Sequence, residues 1–192
     1  YIKMDKLPYD VLHHIDMHLK LLDEETLLMG QYPAGVADGP QIEANLLYVL
    51  NNYNSIFGTP YKIIRIPMPP DNGQYPNTTG DYFTYTNSSF INKTIIVPTY
   101  NIPQDTTALR IYRDALPGYN VVGINSTASI GALGALHCIT KEIGTDDPLL
   151  ISHQPLPDTY DDVNPYSVSA FMKHRSGISI ATMYYRTDTL QP

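Results

Sequence analysis

The sequence predicts an α/β fold assembled from repeated ββαβ units and followed by a C-terminal β-hairpin segment. Three observations lead there. Thr26-Leu27-Leu28-Met29-Gly30-Gln31-Tyr32 parallels Thr94-Ile95-Ile96-Val97-Pro98-Thr99-Tyr100, and Tyr61-Lys62-Ile63-Ile64-Arg65-Ile66 parallels Tyr119-Asn120-Val121-Val122-Gly123-Ile124, so the chain repeats itself. Between the members of each pair, apolar residues recur at helical spacing. Beyond Pro155 the pattern changes to a polar linker and short strands.

In chain order, the first unit opens with an extended run from Asp16 to Leu22, turns at Asp23-Glu24-Glu25 and continues through the strand at Thr26. Ile42, Leu46, Val49, Leu50 and Tyr53 then line one helical face, which begins at Asp38-Gly39-Pro40-Gln41 and is stopped by Gly58. The second unit runs from Tyr82 to Ile91 and turns at Asn92-Lys93. Its helix carries Ala108, Ile111, Tyr112 and Ala115, with Asp105 as the expected cap and Pro117-Gly118 as the stop. A third unit opens with runs from His137 to Ile143 and from Leu149 to His153, without a following helix. Two units and a fragment cannot close a ring. Pro155-Leu156-Pro157-Asp158 begins a linker that lasts through Asp161-Asp162. Tyr166–Met172 and Ile178–Tyr184 then read as two strands joined at Arg175-Ser176-Gly177. The expected division is 1–155 and 156–192.

A chain of 192 residues, 43% apolar, can bury one sizeable core and a small appendage. Its net charge of −7 and the lack of a Lys/Arg cluster argue against a nucleic-acid or anionic-membrane surface. No apolar run approaches the roughly 20 residues of a membrane span, and no segment resembles a signal peptide. One cysteine cannot close an internal disulfide, which leaves the compartment open. The chain starts at Tyr1, contains no tryptophan, and reads as a processed form or an excised piece.

Three segments could carry chemistry. Cys138, in Leu136-His137-Cys138-Ile139-Thr140, precedes the strand at Pro148 by the same interval that separates Asp16 from Thr26. Equivalent positions of a repeat project to equivalent places, so Cys138 and Asp16 are expected to meet at one cleft. The plain alternative is a small buried hydrophobe. In His13-His14-Ile15-Asp16-Met17-His18, a strand would put His14, Asp16 and His18 on one face. Such a face is either merely solvated or able to hold a metal such as zinc. Tyr85-Thr86-Asn87-Ser88-Ser89-Phe90-Ile91-Asn92 alternates as an ordinary strand does.

Taken in order, His14-Ile15-Asp16, Tyr85 to Asn92 and His137-Cys138-Ile139-Thr140 resemble the core motifs of the bacterial (Porphyromonas-type) peptidylarginine deiminase and agmatine deiminase family. Pro117-Gly118-Tyr119 and Gly134-Ala135-Leu136-His137-Cys138 support the resemblance, which covers about residues 9–155. It implies a partial α/β propeller (pentein-like), built from pseudo-fivefold ββαβ units, over residues 1–155. It also implies that residues 156–192 hold a linker and the start of an immunoglobulin-like β domain, as in secretory members; Tyr166–Arg186 looks similar to the first hairpin of that domain.

The implied reaction hydrolyses a guanidinium group to a ureido group and releases ammonia, with no metal or organic cofactor. Cys138 matches the nucleophile, and His14 the general acid that later serves as base. Asp16 matches a guanidinium-binding carboxylate, and Asn87 an active-site asparagine taken as catalytic and substrate-binding. The residue types suit the chemistry, because a guanidinium stays protonated and calls for planar carboxylate acceptors. A free thiol with pKa near 8.5 is only about 3% ionised at neutral pH, so a neighbouring imidazolium or the bound cation must favour the thiolate. The implied substrate is an arginine-containing peptide or a small guanidino compound such as agmatine. The first goes with a secreted, periplasmic or cell-surface protein and the second with a cytoplasmic one; a homo-oligomer is compatible with either.

The family's second carboxylate lies in an upstream Trp-x-Arg-Asp-type motif that this tryptophan-free chain does not contain. The expectation is an incomplete catalytic unit, inactive or nearly so alone. Two other readings stay open: a different cysteine hydrolase using Cys138 and His14 for acyl transfer, and a non-catalytic binding repeat with an inert Cys138.

Overall fold

A hairpin of β1 (Leu19–Asp23) and β2 (Thr26–Gln31) leads into helix α1 (Gly39–Asn52), which returns the chain to β3 (Lys62–Pro67) parallel to β2. The path is then repeated by β4 (Ser89–Ile91), β5 (Thr94–Thr99), α2 (Gln104–Ala115) and β6 (Asn120–Asn125). These elements come from a computed structural model that describes residues 1–71, 82–143, 146–153, 156, 159–161 and 163–185. The register bears out the repeat: Thr26 lies opposite Lys62 and Thr94 opposite Asn120. The result is a mixed α/β structure with small sheets, ordered β1-β2-β3 and β4-β5-β6. Among the described residues no sheet closes on itself.

β2 is apolar from Leu27 to Gly30 because both its faces are buried there. Leu27 and Met29 pack with Ile42, Leu46 and Val49 of α1, whereas Leu28 faces the opposite way into a second core. That second core gathers Ile66 with Tyr85, Ile95, Val97, Tyr100 and Tyr112, and so joins the two units. α1 buries the face its spacing predicts but ends at Asn52, well before Gly58. Asp105 is not the cap of α2. Its carboxylate instead accepts the Tyr100 and Ile102 N–H groups and the Tyr85 hydroxyl, which ties the buried segment before β4 to the start of the helix.

Several expected strands are shorter or absent. The run from Asp16 begins as a 3-10 turn (Ile15–Met17), with strand only from Leu19. Of Tyr82–Ile91, only Ser89–Ile91 is strand. His137–Ile139 is a second 3-10 turn, and Thr140–Ile143 forms no strand. α3 (Thr127–Ile130) is a short additional helix.

The C-terminal hairpin is not formed as expected. β8 (Ala170–Lys173) pairs antiparallel with β7 (Leu150–His153), and residues 178–184 carry no strand. The expected turn does exist: the Gly177 N–H donates to the His174 carbonyl, with Gly177 at φ +81°. Lys173 then reaches the Glu25 carboxylate, which also receives Lys62 and Thr59. Those bonds, Lys173's first, hold Glu25 well below the usual carboxylate range, at about 2. Pro155, Pro157, Asp158 and Asp162 of the expected linker, and Arg186, lie outside the described residues.

Candidate active site

His14 and Asp16 are set by backbone that a strand would have used differently. The Thr84 and Thr86 hydroxyls donate to the carbonyls of Met17 (2.8 Å) and Asp16 (3.0 Å), and the Met17 and His18 N–H groups fold back onto His14 and Ile15. His13 precedes the turn with φ 56°. The three polar residues therefore do not share one strand face. His18 is buried, its Nδ1 lacks a partner among the described residues, and burial lowers its pKa against the opposing pull of Asp10 and Asp16.

In place of a His14–Asp16–His18 metal face, the ligand atoms of His14, Asp16 and Cys138 lie within 4.8 Å of one another. This is the one group of potential metal donors among the described residues. Its Cys138 Sγ to Asp16 Oδ2 distance of 3.6 Å is that of a weak S–H···O contact. His13, His14, Asp16 and His18 also line a cleft of about 500 Å³.

Asn87 organises this cluster from below. It is fully buried, and its Oδ1 accepts the backbone N–H groups of Ala135 (3.0 Å) and His137 (3.1 Å). Those donors fix which end of the amide is oxygen, so Nδ2 must point the other way. It donates to Asp16 Oδ2 (2.9 Å) and to Cys138 Sγ (3.2 Å). The Asn87 segment is itself held by hydroxyls: Tyr100 donates to the Thr84 carbonyl, Tyr112 to that of Tyr85, and Ser88 pairs with Tyr112. Gly134 supplies the remaining room, since a Cβ there would stand 2.9 Å from Cys138 Cβ and 3.0 Å from Sγ.

Asp16 Oδ2 is thus occupied by Asn87 and by His137, whose Nδ1 donates to it at 2.7 Å. Hydrogen bonds between described residues leave Oδ1 without a donor, available to a cationic ligand. Behind His137 stand Glu142 and Lys20, joined by an ion pair of 2.7 Å. His137 entered the sequence reading only as part of a motif, and Glu142 and Lys20 not at all. Burial pushes the Cys138 thiol up; the Asn87 hydrogen bond pulls it down and the Asp16 charge adds to the rise. A planar cation seated on Asp16 would neutralise the repulsion and place an electrophilic carbon beside the sulfur.

The sequence model of the Porphyromonas-type peptidyl-arginine deiminase family matches residues 5–143. A protein of Lactococcus lactis subsp. lactis (strain IL1403) assigned as an agmatine deiminase is 28% identical over 108 residues, covering 48% of this chain and 30% of that protein. The chain is also similar to the crystal structure of a protein assigned as an arginine deiminase from Porphyromonas gingivalis, with a TM-score of 0.57 and 25% identity over 65% of this chain and 36% of that one. A crystal structure assigned as a peptidyl-arginine deiminase gives a TM-score of 0.58 and 26% identity over 74% and 42%. The chain therefore spans less than half the length of these relatives.

Proposed function

Because the chain belongs to the Porphyromonas-type peptidyl-arginine deiminase family, we propose that it carries the nucleophile-bearing part of a hydrolase that deiminates peptidyl-arginine. The observation that carries this reading is the thiol of Cys138 beside a carboxylate, 3.6 Å from Asp16 Oδ2, with a His14 ring nitrogen within 4.8 Å of both. An acyl-transfer hydrolase needs donors for an oxyanion and gains nothing from a carboxylate beside its nucleophile. A guanidinium needs such a carboxylate.

In this mechanism Asp16 Oδ1 binds the guanidinium, whose charge lowers the cost of ionising Cys138. The thiolate adds to the guanidinium carbon, and the tetrahedral adduct expels ammonia as His14 supplies a proton. The thiouronium that remains is attacked by water, whose proton returns to His14; collapse releases the ureido product and the thiol. Asn87, buried and fully engaged, acts by holding Asp16 and Cys138 in register. The propeller architecture and an upstream second carboxylate complete the proposal. The identity with the Lactococcus protein favours a second substrate, agmatine.

A ureido-product assay with peptidyl-arginine and agmatine, run on the chain and on a longer form that includes an upstream acidic motif, tests the reading. The expected result is product only from the longer form, abolished by Cys138→Ser. Product that survives this substitution would contradict it.

A further inference from the structure

We propose that Glu142 is a positioning residue for the Asp16 carboxylate, acting through His137, and that Lys20 holds Glu142 in place for that task; this rests on the deiminase reading above. Lys20 projects from β1 with only 6% of its side chain exposed. Its ammonium donates to Glu142 Oε1 (2.7 Å) and to the Ser88 carbonyl (3.0 Å), and lies 5.2 Å over the Phe90 ring. The same Glu142 oxygen accepts the Phe90 N–H at 2.8 Å. With Oε1 anchored twice, Oε2 is left to face His137 Nε2 at 4.0 Å. The opposite ring nitrogen donates to Asp16 Oδ2.

His137 therefore sits between two carboxylates, one at the cleft and one behind it. An ionised carboxylate only accepts, so Nδ1 must carry its hydrogen and the ring is held in one orientation. A buried ammonium paired with a part-exposed carboxylate gives little stability over an apolar side chain of the same shape, so the Lys20–Glu142 pair is not explained by folding alone. Its placement explains it: it joins β1, β4 and the segment after Cys138, the three parts of the chain that bear on Asp16. A site group acts well only when the groups behind it are themselves fixed. Asn87 and His137 occupy Oδ2 together, which leaves Oδ1 of this cleft-lining carboxylate for a ligand.

The test compares Cys138 alkylation by chloroacetamidine, a flat cation, with alkylation by neutral iodoacetamide, each rate divided by that of free cysteine. The chain is expected to prefer the cation. Glu142→Gln should lower that preference about tenfold, the scale of one charge-assisted contact, with the iodoacetamide rate nearly unchanged. The double variant Lys20→Met/Glu142→Gln leaves no buried ammonium without its partner, which guards against misfolding of the single one, and it should show the same loss. Retained preference in the folded double variant would overturn the inference and leave the deiminase reading intact. Absence of any preference in the unsubstituted chain would overturn both.

Discussion

The two 3-10 turns among the described residues invite comparison. Ile15–Met17 presents Asp16 and His137–Ile139 presents Cys138, each as the middle residue of a three-residue turn. The first leads directly into β1, a formed strand of a complete unit; the second leads into irregular chain. Yet both end at the same point, joined by one buried amide. The difference teaches that sheet pairing does not place the cysteine. Asn87 does, by accepting the Ala135 and His137 N–H groups and donating to both functional side chains.

Removing that amide should therefore have the largest effect. Asn87→Ala should abolish deimination by the longer form, with a loss of about a thousandfold or more, because misplaced reacting groups forfeit their proximity advantage. It should also destabilise the fold by about 1–3 kcal/mol in urea unfolding, since the buried Ala135 N–H loses its acceptor, while the His137 N–H keeps the Asn87 backbone carbonyl.

Asp16→Asn sharpens the comparison from the first turn. Removing the negative charge should lower the Cys138 pKa and speed iodoacetamide alkylation at pH 8. It should also slow chloroacetamidine about tenfold, because the cation loses its partner. Gly134→Ala acts on the second turn alone. The added Cβ must displace Cys138, at a cost of about 1–3 kcal/mol read by thermal unfolding.

The smallest effect belongs to a region away from both turns. Lys173→Met removes one of two lysines on the Glu25 carboxylate, whose side chain is 4% exposed, and should lower Tm by about 2–4 °C. Because Glu25 is depressed in the fold to about 2, its contribution is complete above the ordinary carboxylate pKa of about 4.3 and is lost as pH falls through about 2. The variant should narrow that acid window.

The repeat was readable because strand burial and helix spacing leave local apolar patterns, as β2 and α1 show. The turns were not. His14, Asp16 and His18 alternate as a strand would, but the His14 and Ile15 carbonyls close a turn, and the Thr84 and Thr86 hydroxyls, distant in sequence, hold the Met17 and Asp16 carbonyls that a strand would have paired. The C-terminal strand pairing was hidden for a related reason. Arg175-Ser176-Gly177 does turn, but β7 offers Ala170–Lys173 an earlier partner. Lys20 sits in an alternating strand, where a lysine is ordinarily solvated, and its ion pair with Glu142 spans most of the chain.

The central claim is that the sole cysteine lies in the field of Asp16, at a place built for a flat cation. Titrating its thiolate by the pH dependence of its iodoacetamide alkylation rate tests this directly, because no other thiol contributes. The account predicts a midpoint above that of free cysteine in the empty protein, lowered both by Asp16→Asn and by a saturating guanidinium compound. A midpoint that neither change moves would contradict it.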